Sequence, residues 1–220
     1  MNDVPSPPPP PSEGQPSEPA PVVEPDRAAT GYPVSVFADM QDEYVRFLPL
    51  VKWLLLIPHY VVLFFLGIAA MVVAFIAFFA TLFTGRYPRG MWDFMRNVQR
   101  WVLRVYAYLF LITDQYPPFS LEEEAGDPVR LEAAYPEHVS RWRPLFAWLI
   151  VIPYAIVAAL IGVLGQVCAL FALFTIIFTK KIPEDLFKII RVSFNWQMRA
   201  SFYSYWMSTE YPPFVWDDQD

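Results

Sequence analysis

"FLPLVKWLLLIPHYVVLFFLGIAAMVVAFIAFFATLF", residues 47–83, decides how this chain must be read. From Pro58 to Phe83 it carries no charged side chain apart from the titratable His59. As a helix those 26 residues reach about 39 Å, enough to cross a hydrocarbon core of roughly 30 Å. Taken whole from Phe47, the run would make a straight helix of about 55 Å, too long to bury in one pass. Something must bend it, and Pro58 lacks the amide proton that a continuous helix needs there. Gly67, near the midpoint, offers a second place to turn. The run is therefore expected as a long kinked apolar helix or as a helical hairpin.

The same stretch is written twice. Sliding the chain by 95 positions aligns 33–119 with 128–214 without a gap: Pro49 meets Pro144, Trp53 meets Trp148, Pro58 meets Pro153, Gly67 meets Gly162 and Trp101 meets Trp196. Identities this dense at zero gaps mean duplication rather than shared hydrophobicity. The chain divides into a Pro-rich acidic tail (1–32), a first membrane repeat (33–119), an acidic linker read as solvated (120–127), a second repeat (128–214) and an acidic end (215–220).

Each repeat opens with a short alternating segment, "YPVSVFAD" or "DPVRLEAA". Val34 and Val36, or Val129 and Leu131, would share one face of a strand, and the two strands could pair. After the apolar run comes a segment that splits cleanly at helical spacing. Arg96, Asn97, Arg100 and Arg104 take one side; Phe94, Val98, Trp101, Val105 and Tyr108 take the other. That is the pattern of an amphipathic interfacial helix. In the second copy Ser193, Gln197 and Ser204 interrupt the apolar side, so its membrane grip should be weaker. The fold class is thus all-α membrane protein with minor β, built as a tandem duplicated unit.

Both repeats end in the same four residues: Tyr116, Pro117, Pro118, Phe119, and Tyr211, Pro212, Pro213, Phe214. Two prolines stop a helix and remove two donors, while Tyr and Phe suit the headgroup level. The motif reads as a stiff structural clip; a ligand for a proline-reading partner is the sharper alternative.

Net charge is −6, of which the first 32 residues carry −4; ten of the 23 prolines also lie there. Such a tail buries too little apolar surface to order itself. It is expected as a disordered tether, or as a docking arm for a proline-reading module. Basic residues follow both apolar runs (Arg86, Arg89, Arg96, Arg100, Arg104; Lys180, Lys181, Lys188, Arg191, Arg199), and fewer precede them. Matching charge patterns argue for matching orientation of the copies on the cytoplasmic side. That orientation favours an even number of passes, hence the hairpin, over a crossing helix that would carry Arg104 into hydrocarbon.

Chemistry is sparse. His59 and His138 are not matched by histidines in the other copy, Cys168 stands alone in an apolar run, and no phosphate loop, HExxH, GxSxG or CxxC occurs. No enzymatic activity, cofactor, metal or nucleic acid is expected. The candidate lipid-headgroup contacts are Arg96, Arg104, Arg191 and Arg199, flanked by Trp101 and Trp196. Intramolecular pairing, with Asp114 or Glu210 as partners, is the plain structural alternative for these arginines.

These residues carry a resemblance. "YPV", "RFLPLVKWLLLIPHY", "LFTGRYPRG", "RWVLRVYAYLFLITDQYPPF" and the second-copy "RWRPLFAWLIVIPY" and "YPPF" resemble a bacterial membrane family, common in actinobacteria, whose domain is of unknown function. The second copy departs at "KKIPED", where the first has "GRYPRG". The resemblance implies an integral protein of the bacterial inner membrane, with no activity, cofactor or substrate attached. The function expected is a non-enzymatic membrane scaffold or accessory protein contacting anionic lipid or a partner protein. The alternative is a small transporter or channel subunit built on the internal repeat.

Overall fold

A computed structural model describes residues 31–124 and 126–216. The Pro-rich tail up to residue 30 and the acidic residues 217–220 lie outside the described residues.

Each copy contributes one strand and three helices: β1 (Val34–Ala38), α1 (Leu48–Leu55), α2 (Ile57–Thr84) and α3 (Arg89–Leu109), then β2 (Val129–Ala133), α4 (Arg143–Ile150), α5 (Ile152–Thr179) and α6 (Glu184–Ser204). Proline sets the breaks. Pro58 and Pro153 fall in the first turns of α2 and α5, where the missing N–H costs nothing, and the chain bends at Leu56 and Val151 between short and long helix. Of the two sequence alternatives, the kinked helix is the one found. The hairpin expected at Gly67 and Gly162 does not form, because both glycines lie inside unbroken helices of 28 residues. A lone glycine without polar turn residues does not offset the backbone hydrogen bonds that a turn would forfeit.

The long helices stop in the left-handed conformation. Gly85 (φ 71°) and Lys180 (φ 60°) return their N–H groups to Thr81 and Ile176 carbonyls, at 2.8 and 2.9 Å. α3 then turns back along α2, so that Trp101 and Tyr108 meet His59 and Leu56 at the start of α2. α6 likewise turns back along α5: Trp196 stacks on Tyr154, and Ser193 lies against Gly165.

The strands join the copies. β1 and β2 do pair, and the pairing is antiparallel, with Val36 opposite Leu131, which is its own repeat mate. An approximate two-fold axis therefore passes through that pair. Two further hydrogen bonds obey it: Tyr44 N–H to Lys180 C=O (2.8 Å), and Val139 N–H to Gly85 C=O (3.0 Å). Across the axis Trp92 reaches Phe202 and the Met207 carbonyl, while Phe110 meets Phe194. α3 and α6 thus run antiparallel, and α2 and α5 point in opposite directions. This differs from the shared heading expected from the basic residues, since charge pattern is blind to an axis that relates the copies by inversion of direction.

Each strand packs on the other copy's helix, β1 on α6 and β2 on α3. One core runs through both copies and takes in Val34, Val36, Trp92, Leu103, Leu131, Ile176, Ile190 and Phe202. The ribbon and the linker cover α3 and α6 on one side. α2 and α5 flank them on the other, with their outer faces bare.

Candidate functional site

The polar side of α3 is not turned to headgroups; it is roofed by the acidic linker. Arg104 is buried at 4% exposure, pairs with Asp127 at close range, and donates to the carbonyls of Ser120 (3.1 Å) and Glu122 (2.7 Å). Arg100 pairs with Glu123 at 3.2 Å. The linker read as solvated is therefore the counter-charge of α3. Its length lets it fold back over the helix, which no local pattern in the sequence reports.

Arg199, the repeat mate of Arg104, is fully buried. Its Nε donates to the Val34 carbonyl (3.1 Å), and its guanidinium lies 5.3 Å from the centre of the Tyr32 ring. Both residues sit where lipid cannot reach them. For Arg104 and Arg199 the expected headgroup contact gives way to intramolecular pairing, with Asp127 and the Val34 carbonyl of β1 among the partners. Arg96 is half-buried, 3.6 Å from Asp93 and packed over Trp92. Arg191 is half-buried on α6.

Trp101 and Trp196 are also inside, each at the centre of an aromatic clip. In the first copy the Trp101 indole N–H donates to His59 Nδ1 (3.0 Å), His59 stacks on Phe119 (3.9 Å between ring centres, 10° between planes), and the Tyr116 hydroxyl donates to the Leu55 carbonyl (3.0 Å). In the second copy Tyr154 replaces His59, stacks on Trp196 (4.6 Å, 6°) and is met edge-on by Phe214 and Tyr211. Pro117 and Pro212 are buried. The YPPF ends thus close over the bends at Leu56 and Val151. They pack against the junction of short and long helix, with Tyr116, Phe119, Tyr211 and Phe214 still partly exposed.

Sequence reading missed a second pair of cations. Lys52 on α1 is fully buried, bonded to Asp114 (2.7 Å) and the Thr113 carbonyl (2.7 Å), with its ammonium 4.5 Å from the centre of the Tyr108 ring. Burial pulls its pKa below the ordinary lysine value, and the Asp114 carboxylate partly opposes this. In the second copy Arg143, one turn earlier on α4, takes the same place over Tyr203 at 4.6 Å. The signal was present in the sequence: a lone cation on an otherwise apolar short helix must find a partner or stay at the surface.

The α5–α6 contact is closer than anything in the first copy. A β-carbon at Gly165 would stand 2.7 Å from Ser193 Cβ, and one at Gly162 would overlap the Gln197 amide, whereas Gly67 faces open space. Beside this contact α3, α5 and α6 line a half-open cavity of about 340 Å³. Among the described residues no group of three or more His, Cys, Asp or Glu side chains is placed to hold a metal ion. His138 is exposed, and Cys168 is a buried free thiol.

These features define a class: a duplicated helical protein whose copies share one core and which carries two helices, Ile57–Thr84 and Ile152–Thr179, long and apolar enough to cross a membrane. The chain belongs to the family described as Domain of unknown function (DUF4389), which matches it twice, over 49–120 and 141–215. No curated protein and no solved structure matches it.

Proposed function

We propose that the protein is a non-enzymatic membrane scaffold or accessory protein of the bacterial inner membrane. It lies in one leaflet on α2 and α5, keeps the ribbon and linker in water on the cytoplasmic side, and contacts anionic lipid headgroups. The observation that carries this is the bare outer face of both long helices: Phe65 is 64% exposed, Met71 73%, Phe75 66%, Phe83 70%, Leu160 66% and Phe178 76%. A soluble monomer does not leave so large an apolar area in water.

The antiparallel helices favour broadside insertion. Basic residues gather at both ends of the pair: Arg86 and Arg89 near Arg141, which packs on Gly85, and Lys180 and Lys181 near Tyr44 and Arg46. Upright helices would put one of these groups outside the cell, against the positive-inside tendency. They would also carry the Arg104–Asp127 pair toward hydrocarbon. Lying in the leaflet keeps both basic ends among headgroups, each residue contributing about 1 kcal/mol on an anionic surface. The headgroup contacts are then these exposed cations, with Arg96 and Arg191 at the margin.

Reconstitution tests this reading. The protein should float with vesicles containing phosphatidylglycerol, and changing Arg46, Arg86, Arg141 and Lys181 to Gln should weaken anionic preference without loss of helicity. A protein that stays monomeric in buffer without detergent contradicts it. The inverted relation of the copies is the one observation that favours a small transporter instead; solute flux in the same vesicles would support that reading.

A further inference from the structure

We propose that the cavity between α3, α5 and α6 is a binding site for an uncharged, hydroxyl-bearing lipid such as a diacylglycerol, whose head enters the cavity while its tails leave across the outer face of α5. The site rests on the membrane reading only for the supply of its ligand, because binding itself is measurable in micelles.

Three observations carry it. The cavity measures 340 Å³, within the range of small-molecule sites, and joins apolar side chains such as Val102, Ile190 and Met198 to a polar set, Gln99, Gln166, Ser193, Gln197 and Ser201. No ionised side chain lines it, so nothing there compensates a phosphate or carboxylate.

The polar set is also lopsided between two copies of one fold. Gln166, Ser193, Gln197 and Ser201 occupy positions where the first copy has Met71, Val98, Val102 and Tyr106. The first copy has neither serine nor glutamine at any of the four positions, so the fold itself does not dictate these residue types. Gln166 and Gln197 are exposed, and on an apolar face turned to lipid such amides need partners that water does not supply.

The partners are incomplete. Ser193 bonds its own helix at Ile190 (2.6 Å), Gln99 donates to Ser201, and the Gln197 amide N–H donates to the Ala158 carbonyl (3.2 Å). The Gln197 carbonyl oxygen and the whole Gln166 amide make no hydrogen bond among the described residues, leaving acceptors and donors for a ligand's hydroxyls. Gln166 is exposed beside Val163, Val167 and Leu170, also exposed on α5. A ligand anchored by hydroxyls would thus lay its chains on apolar surface.

The test uses the full chain in a zwitterionic detergent, which brings no competing sugar hydroxyls, with binding read by native mass spectrometry and thermal shift. The probe is dioctanoylglycerol; the comparators are dioctanoyl phosphatidic acid and a trioctanoyl glycerol without free hydroxyls. The diacylglycerol should bind at least tenfold more tightly than either. Gln166→Leu and Gln197→Leu should each lower that affinity at least tenfold, while Met71→Leu, at the repeat mate of Gln166, leaves it unchanged. Equal binding of the hydroxyl-free lipid, stronger binding of the anionic one, or undiminished binding by a folded Gln166→Leu protein overturns the proposal. Should Gln197→Leu fail to fold, exposed Gln166 still decides it.

Discussion

Asn195 of the second copy closes both backbone groups of Val36 in the first: its Oδ1 accepts the Val36 N–H at 2.8 Å, and its Nδ2 donates to the Val36 carbonyl at 3.2 Å. A side chain stands where a third strand would pair, so the ribbon needs no further edge partner on that side. The bond also ties β1 to a helix 159 positions away. Asn195→Leu strands a buried donor and a buried acceptor, which should cost about 2–4 kcal/mol. The thermal midpoint in detergent should fall accordingly, and residues 128–216 expressed alone should not give a folded second copy. A cooperatively folding half-chain would contradict this.

Buried and exposed arginines should part company. Arg104→Gln leaves Asp127 without its cation inside the protein and should destabilise by about 3–5 kcal/mol. Arg96→Gln removes a partly exposed pair and should cost under about 1 kcal/mol. If Arg104→Gln keeps full stability and loses only vesicle binding, the headgroup role read from the sequence is restored.

The glycines divide in the same way. Gly165→Ala forces Ser193 away and should loosen α5 from α6, lowering the melting temperature, whereas Gly67→Ala meets nothing and should be neutral or mildly stabilising through helix propensity. Circular dichroism melts of both variants check the contrast. Equal effects would mean that α5 and α6 are no closer than α2 and α3.

Alkali should act through tyrosine. Burial pushes Tyr32 and Tyr44 up to about 12, from 10.0. An unfolded chain releases these protons near pH 10 while the folded one keeps them. Their stabilisation is complete below pH 10 and is lost as pH rises through about 12. Phenolate absorbance should appear late, and the unfolding midpoint should fall across that window. Tyr44→Phe should remove part of the slope; an unchanged slope argues against Tyr44 as a source.

Periodicity and repetition made much of this legible. The apolar runs, their bend at Pro58 and Pro153, the two short strands and the duplication all follow from local pattern, because each is set by residues near in sequence or by a constant offset. What was hidden depends on how the chain doubles back. The arginines of α3 look like a headgroup face until linker residues Glu123 and Asp127 fold over them. Lys52 looks like a flank of the apolar run until Asp114 returns beneath it. The heading of the copies was misread for the same reason: equal charge patterns follow from either direction of the axis, and only the ribbon and the contacts of α3 with α6 fix which one holds.

The most direct test labels the two basic ends. With Cys168 replaced by Ala, single cysteines at Arg86 and Lys181 are probed with a membrane-impermeant maleimide in right-side-out and inside-out vesicles. Insertion in one leaflet predicts that both positions label from the cytoplasmic side alone. Labelling from opposite sides would mean that α2 and α5 cross the bilayer in opposite directions, and would contradict the account.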